Sequence, residues 1–220
     1  IFNDALLIDV AEERHYDRVS AFGYALGYLG GGILFALNIV MVTSPEWFGF
    51  SSTNDAVRFS FITVSIWWLV FSIPLWLFVH ERRTTEKYLT TQVIYSGLAQ
   101  LVSTFKKINQ LKTVALFLLA YWLYIDGVGT IVRMAVDYGL AIGLEGSDLL
   151  LALLMTQFIG FPAALAFGYA GERIGAKTAI MLAIVVYLAV TLFAYRMKSV
   201  EEFYALAITI GLVQGGIQSL

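Results

Sequence analysis

The chain has 220 residues, of which 59% are hydrophobic and only 14% charged, with a formal net charge of −2 and a mean hydropathy of +0.77. A soluble domain carries about 25% charged residues, so much of this surface must face lipid. The absence of cysteine excludes a disulfide framework, an iron–sulfur cluster and a thiolate nucleophile. His15 and His80 are too few and too far apart for a zincin-type metal site, and no basic stretch interleaved with aromatics points to nucleic acid.

Residues 1–7 read as the tail of an apolar segment. After a polar connector, six hydrophobic segments follow at 19–42, 59–79, 113–132, 149–167, 179–195 and 203–220. Each approaches the ~20 residues a helix needs to cross about 30 Å of hydrocarbon. Pro74 and Pro162 fall inside two of them, where membrane helices tolerate a kink. The chain begins at Ile1 with no initiator methionine or signal-peptide charge and stops at Leu220 within an apolar run, so it is expected to be an internal fragment.

Lys and Arg concentrate in alternate connectors. Arg14, Arg18, Arg82, Arg83, Lys87, Lys106, Lys107, Lys112, Arg173 and Lys177 belong to one set, against Arg58, Arg196 and Lys198 on the other. The positive-inside rule places the first set in the cytoplasm. Within the longest connector, Ile94, Leu98, Leu101, Phe105 and Ile108 recur every three or four residues opposite Gln100, Thr104, Lys106 and Lys107. That spacing predicts an interfacial amphipathic strap, basic enough to prefer anionic lipid.

Small residues also recur at helical spacing: Gly23, Gly27 and Gly31, then Gly160, Ala164 and Gly168, then Gly211 and Gly215. Such stripes let helices approach closely. They suit static packing and sliding bundles equally. A short charged loop is expected at 168–177, with glycines at the turn and Glu172, Arg173 and Lys177 kept out of lipid.

That loop, Gly168-x3-Glu172-Arg173-x-Gly175-x-Lys177, resembles the charged loop motif of the major facilitator superfamily. Glu172 stands for the usual aspartate, and Ala176 for an arginine. Three longer strings, at 18–32 (RVSAFGYALGYLGGG), 124–131 (YIDGVGTI) and 211–218 (GLVQGGIQ), resemble the vacuole-effluxer or autophagy-related permease branch with its bacterial relatives. The resemblance implies an all-α polytopic bundle, part of a twelve-helix transporter. Residues 1–80 would hold the tail of helix four and helices five and six, 81–112 the basic linker between halves, and 113–220 helices seven to ten. It also implies alternating access, with Gly168, Glu172, Arg173, Gly175 and Lys177 forming a gating loop, and an amino acid as the solute.

Inside the spans, Asp126 is a costly intramembrane carboxylate, expected in a wet cavity as a proton or substrate-amine site; alternatively Asp126-Gly127 caps a helix break. Arg133 reads either as an outward ion pair with Asp137 or as a fork for a substrate carboxylate. Gln157, Gln214 and Gln218 bond across helices or contact solute, and Tyr28 and Tyr124 are candidates to line a cavity. These residues point to a monomeric, non-enzymatic secondary transporter of a small solute in the bilayer, with possible proton coupling and without cofactor, metal or nucleic acid. A bacterial inner membrane is the expected location, with a vacuolar membrane as the alternative. A non-transporting receptor or scaffold is the competing class; an intramembrane enzyme lacks any catalytic constellation, and no GxxxxGK[ST] loop encodes ATP drive.

Overall fold

A computed structural model of the chain describes residues 11–12, 15–79, 95–100, 102–104 and 112–219. These form α1 (Tyr16–Thr43), a 3-10 turn (Pro45–Phe48), α2 (Thr53–Phe78), α3 (Lys112–Ala141), α4 (Gly146–Ile174), α5 (Ala176–Ala194) and α6 (Val200–Ser219), with no strand among the described residues. All six α-helices are long and apolar enough to span a membrane. The chain is an all-α integral membrane protein, as its composition predicts. Of the expected strap, 95–100 and 102–104 are helical. Ile94, Leu101, Phe105, Lys106, Lys107 and Ile108 lie outside the described residues, as do the 1–7 tail and His80.

The chain divides into two compact units, one made of 1–81 and 136–220 and the other of 82–135. The second unit contains most of α3, which runs unbroken through Asp126 and Gly127. The expected cap-and-break at that pair is therefore absent: both residues keep their backbone donors, and neither interrupts the i to i−4 ladder as proline would.

Side-chain capping explains where two helices of the first unit begin. Ser52 accepts a hydrogen bond from the Asp55 backbone N–H at 3.2 Å and donates to its carboxylate at 2.8 Å, which starts α2. Glu202 accepts from the Lys198 and Ser199 backbone N–H groups at 2.7 and 3.2 Å, which starts α6. Pro162 and Pro74 sit within α4 and α2, as expected.

The core of this unit is built from small side chains. Ala21, Ala25, Ala152, Ala164, Ala179 and Ala183 are nearly inaccessible, while no large side chain is fully buried among the described residues. Helices in lipid gain little from hiding large apolar groups, because lipid already solvates them; close van der Waals approach decides their packing instead. Burial differs sharply between helices. In the most apolar window of α6, 56% of residues are buried, against none in that of α2.

Candidate functional site at the α1, α4 and α6 seam

Three helices of the first unit meet along a seam whose order can be read residue by residue. A Cβ added at Gly168 would collide with that of Ala21, one at Gly160 would lie 2.6 Å from the Tyr28 ring, and one at Gly32 would lie 3.4 Å from Gln157. Positions rise along α1 as they fall along α4, so these helices are antiparallel. On the other side of α4, a Cβ at Gly211 would lie 3.1 Å from the Thr156 carbonyl and one at Gly215 2.6 Å from the Gly160 carbonyl. There the positions rise together, so α4 and α6 run in the same direction. At 215 glycine lets backbone meet backbone, and at 160 and 168 it leaves room for the Tyr28 ring and the Ala21 methyl group.

Two of the three predicted small-residue stripes therefore pack as expected, and the α1 stripe does so only in part. A Cβ at Gly23 or Gly27 would meet nothing within 4 Å among the described residues, whereas Gly31 lies against Gln157. The face of α1 that packs carries Ala21, Ala25, Tyr28 and Gly32 instead.

Polar bonds cross the seam at intervals. At its charged end the Arg18 guanidinium forms a two-pronged pair with Glu172: Nη2 donates to Oε2 at 2.9 Å, and Nε lies 2.7 Å from Oε1. One residue on, Arg173 stacks over the Tyr169 ring at 4.4 Å. Deeper in, the Ser20 hydroxyl donates to the Ser219 carbonyl at 2.9 Å and the Tyr28 hydroxyl to Gln218 Oε1 at 2.8 Å, both joining α1 to α6. Tyr187 of α5 donates to Gln214 Oε1 at 2.8 Å, and Thr156 of α4 to the Ala207 carbonyl at 3.3 Å.

The expected loop at 168–177 proves to be mostly helix. Glu and Arg are good helix formers, so α4 continues through both charges to Ile174, and α5 begins at Ala176. Gly175 alone makes the turn, at φ +83°, a conformation that other residues rarely adopt. Glu172 thus projects from a rigid last turn rather than from a flexible loop. This raises the precision with which it can meet Arg18.

Of the predicted site residues, Tyr28, Gln157, Gln214 and Gln218 gather along this seam, each within about one turn of another on its own helix or across it. The other three, Tyr124, Asp126 and Arg133, belong to α3 in the second unit. There Tyr124 meets Tyr121 edge to face at 5.4 Å. Asp126 and Arg133 are exposed and have no hydrogen-bonded or ionic partner among the described residues; the expected Arg133–Asp137 pair is not formed. No group of His, Cys, Asp or Glu able to hold a metal occurs among the described residues.

Sequence reasoning missed Tyr187, Ser20 and Ser219 as seam residues and used Arg18 only in counting charges and in the 18–32 resemblance. Tyr187 had a usable signal. It stands in the middle of its span, where an unpaired hydroxyl is costly, whereas Tyr195 at the end is highly exposed.

The family model described as vacuole effluxer Atg22 like matches residues 7–220. An uncharacterized MFS-type transporter, YxiO of Bacillus subtilis, is 37% identical over the whole of this chain, which covers 51% of that relative. Autophagy-related protein 22 of Yarrowia lipolytica is 27% identical over 92% of this chain and 38% of its own length, and that of Coccidioides immitis 24% over 99% and 39%. The chain thus spans about half or less of these relatives. No solved structure matches it. With its six apolar helices and a match running almost end to end, this chain belongs to the vacuole effluxer Atg22-like family.

Proposed function

We propose that the protein of which this chain forms part is a secondary active transporter, moving a small solute by alternating access. The observation that carries this reading is the construction of the seam. Backbones meet through glycine and alanine, and the bonds that cross them are few and polar. A partly exposed ion pair contributes about 0.2–1 kcal/mol, and hydrogen bonds between membrane helices average about 0.6 kcal/mol. Such a seam can part and close again, since two states a few kcal/mol apart are biased by contacts of this size.

In this reading 1–80 and 113–220 contribute to two rocking bundles, with 81–112 as the strap between them on the cytoplasmic side. Gly168, Glu172, Arg173, Gly175 and Lys177 form the gate, with Arg18 as the partner that Glu172 releases on opening. Tyr28, Gln157, Gln214 and Gln218 are the candidate solute contacts along the seam, and Tyr124, Asp126 and Arg133 those on α3. An amino acid suits the α3 pair, its amine directed to Asp126 and its carboxylate to Arg133, with Asp126 exchanging the coupling proton. The relatives, a named transporter and a vacuole effluxer family, support a carrier and not an enzyme. The bacterial relative favours a plasma membrane.

The test uses the full-length protein in proteoliposomes, with a mixture of radiolabelled amino acids as solute. Arg18→Cys and Glu172→Cys, in a chain otherwise free of cysteine here, are joined by a short reducible cross-linker. Uptake is expected to stop on cross-linking and return on reduction. Uptake untouched by the cross-link contradicts the gate, and no uptake by the unmodified protein contradicts the amino-acid carrier. Asp126→Asn is expected to abolish uptake driven by a proton gradient; unchanged uptake with an unchanged pH dependence removes Asp126 from coupling.

A further inference from the structure

A groove of about 430 Å³ runs between the charged ends of α1 and α4, lined by Arg18, Val19, Ala21, Phe22, Leu165, Gly168 and Tyr169. Its size lies within the ~300–1,000 Å³ of ordinary ligand clefts. Ala21 and Gly168 form a floor without bulk, while Phe22, Leu165 and Tyr169 are exposed walls. The groove does not open towards the hydrogen-bonded interior. Ser20, which bonds to α6, and Phe22 are two residues apart, so they point about 200° apart around α1. The groove therefore lies on the face of α1 turned away from α6.

Two guanidinium groups stand at the lip of the groove. Glu172 occupies the Nε and Nη2 edge of Arg18, yet the Arg18 side chain remains 60% exposed and keeps its other donors. Arg173 has no ion pair among the described residues and is held over Tyr169, one wall of the groove. Among the described residues the charges at this end balance, with Arg18, Arg173 and Lys177 against Glu12, Asp17 and Glu172, so placement decides: Arg18 lines the groove and Arg173 lies over its Tyr169 wall, while Asp17 points about 100° away from Arg18 around α1. An apolar trough with a guanidinium at its mouth and a tyrosine at headgroup level matches an amphiphile whose head is an anion.

We propose that this groove binds one anionic phospholipid of the surrounding leaflet, its phosphate on Arg173 and the free edge of Arg18, an acyl chain along Phe22 and Leu165. Guanidinium groups bind phosphate through two parallel donors, which a zwitterionic headgroup with its own ammonium satisfies less well. The site requires only that the chain lies in a membrane, so it stands whether or not the protein transports an amino acid.

The full-length protein, stripped of lipid in detergent, is titrated with phosphatidylglycerol or with phosphatidylcholine of the same chains, and bound lipid is counted by native mass spectrometry. One tightly held phosphatidylglycerol is expected, favoured roughly five-fold or more, the effect of one juxtamembrane cation. Arg173→Gln is expected to remove most of that preference and leave phosphatidylcholine binding unchanged. Leu165→Trp, which fills the trough, is expected to weaken both. Thermal unfolding verifies that each variant is folded, and Arg173→Gln, on an exposed side chain, keeps the test valid should the tryptophan variant fail to fold. Equal retention of the two lipids overturns the proposal, as does a preference indifferent to Arg173→Gln, the result expected if another part of the full chain covers the groove. Retention of glycerol phosphate as strong as that of the lipid overturns it too, by showing a free-phosphate site.

Discussion

α2 and α6 invert the rule that governs soluble proteins. The most apolar window of α2 has a mean hydropathy of 2.0 and none of its residues buried, while that of α6 has 1.2 and 56% buried. The helix richer in large apolar groups is the one left outside, with Trp68, Phe71 and Trp76 exposed along it. α6 holds Gln214, Gln218 and three glycines, and it sits against α1, α4 and α5. In a bilayer, hydropathy therefore reports contact with lipid. Membership of the core is reported by small residues and by polar groups with partners.

The largest effect should come from breaking the seam where glycine meets alanine. Gly168→Leu forces α1 and α4 apart, because even a Cβ there collides with Ala21. Overpacking of this kind costs about 1–3 kcal/mol in proteins that can relax, and a methyl group fixed directly to the α1 backbone relaxes poorly. Loss of the monodisperse species in detergent chromatography is expected.

A smaller effect is expected from Tyr28→Phe, which leaves the Gln218 carbonyl oxygen without its donor. About 1 kcal/mol is the scale for such a loss, read as a lower unfolding midpoint. Restoring the midpoint with a second change, Gln218→Leu, would show that the unpaired amide and not a lost contact carries the penalty. The smallest effect belongs to α2. Trp68→Leu should shift stability by less than ~0.5 kcal/mol, as for other substitutions away from packed features, and a larger shift would put α2 inside the core.

Much of this organisation is legible in the sequence, and the places where reading stops have physical causes. All six spans are found, because a run of ~20 apolar residues has few other uses. Yet α2 starts at Thr53 rather than 59, and α3 and α4 run on to Ala141 and Ile174 rather than 132 and 167, because polar and charged turns extend a helix without adding hydropathy. The 168–177 segment reads as a loop because its charges dominate, yet charge does not end a helix; Gly175 does, through its positive φ. The stripes at 160–168 and 211–215 and the one at 23–31 look alike as strings. Partners decide between them, and partners belong to tertiary structure. Gln214 and Gln218 are recognisable as costly groups in lipid, whereas the hydroxyls that satisfy them come from α5 and α1, far off in sequence. Asp126 is legible as unusual in the same way, but its surroundings involve a unit that the helix pattern alone cannot place.

The most direct measurement compares two glycine-to-alanine substitutions that the sequence cannot distinguish. At Gly27 a Cβ meets nothing within 4 Å among the described residues, while at Gly215 it lies 2.6 Å from the Gly160 carbonyl. Alanine is the better helix former by about 1 kcal/mol, so Gly27→Ala should leave the unfolding midpoint unchanged or raise it, and Gly215→Ala should lower it by several degrees. Equal midpoints for the two variants, or a larger drop for Gly27→Ala, would contradict a core built on the close approach of α4 and α6.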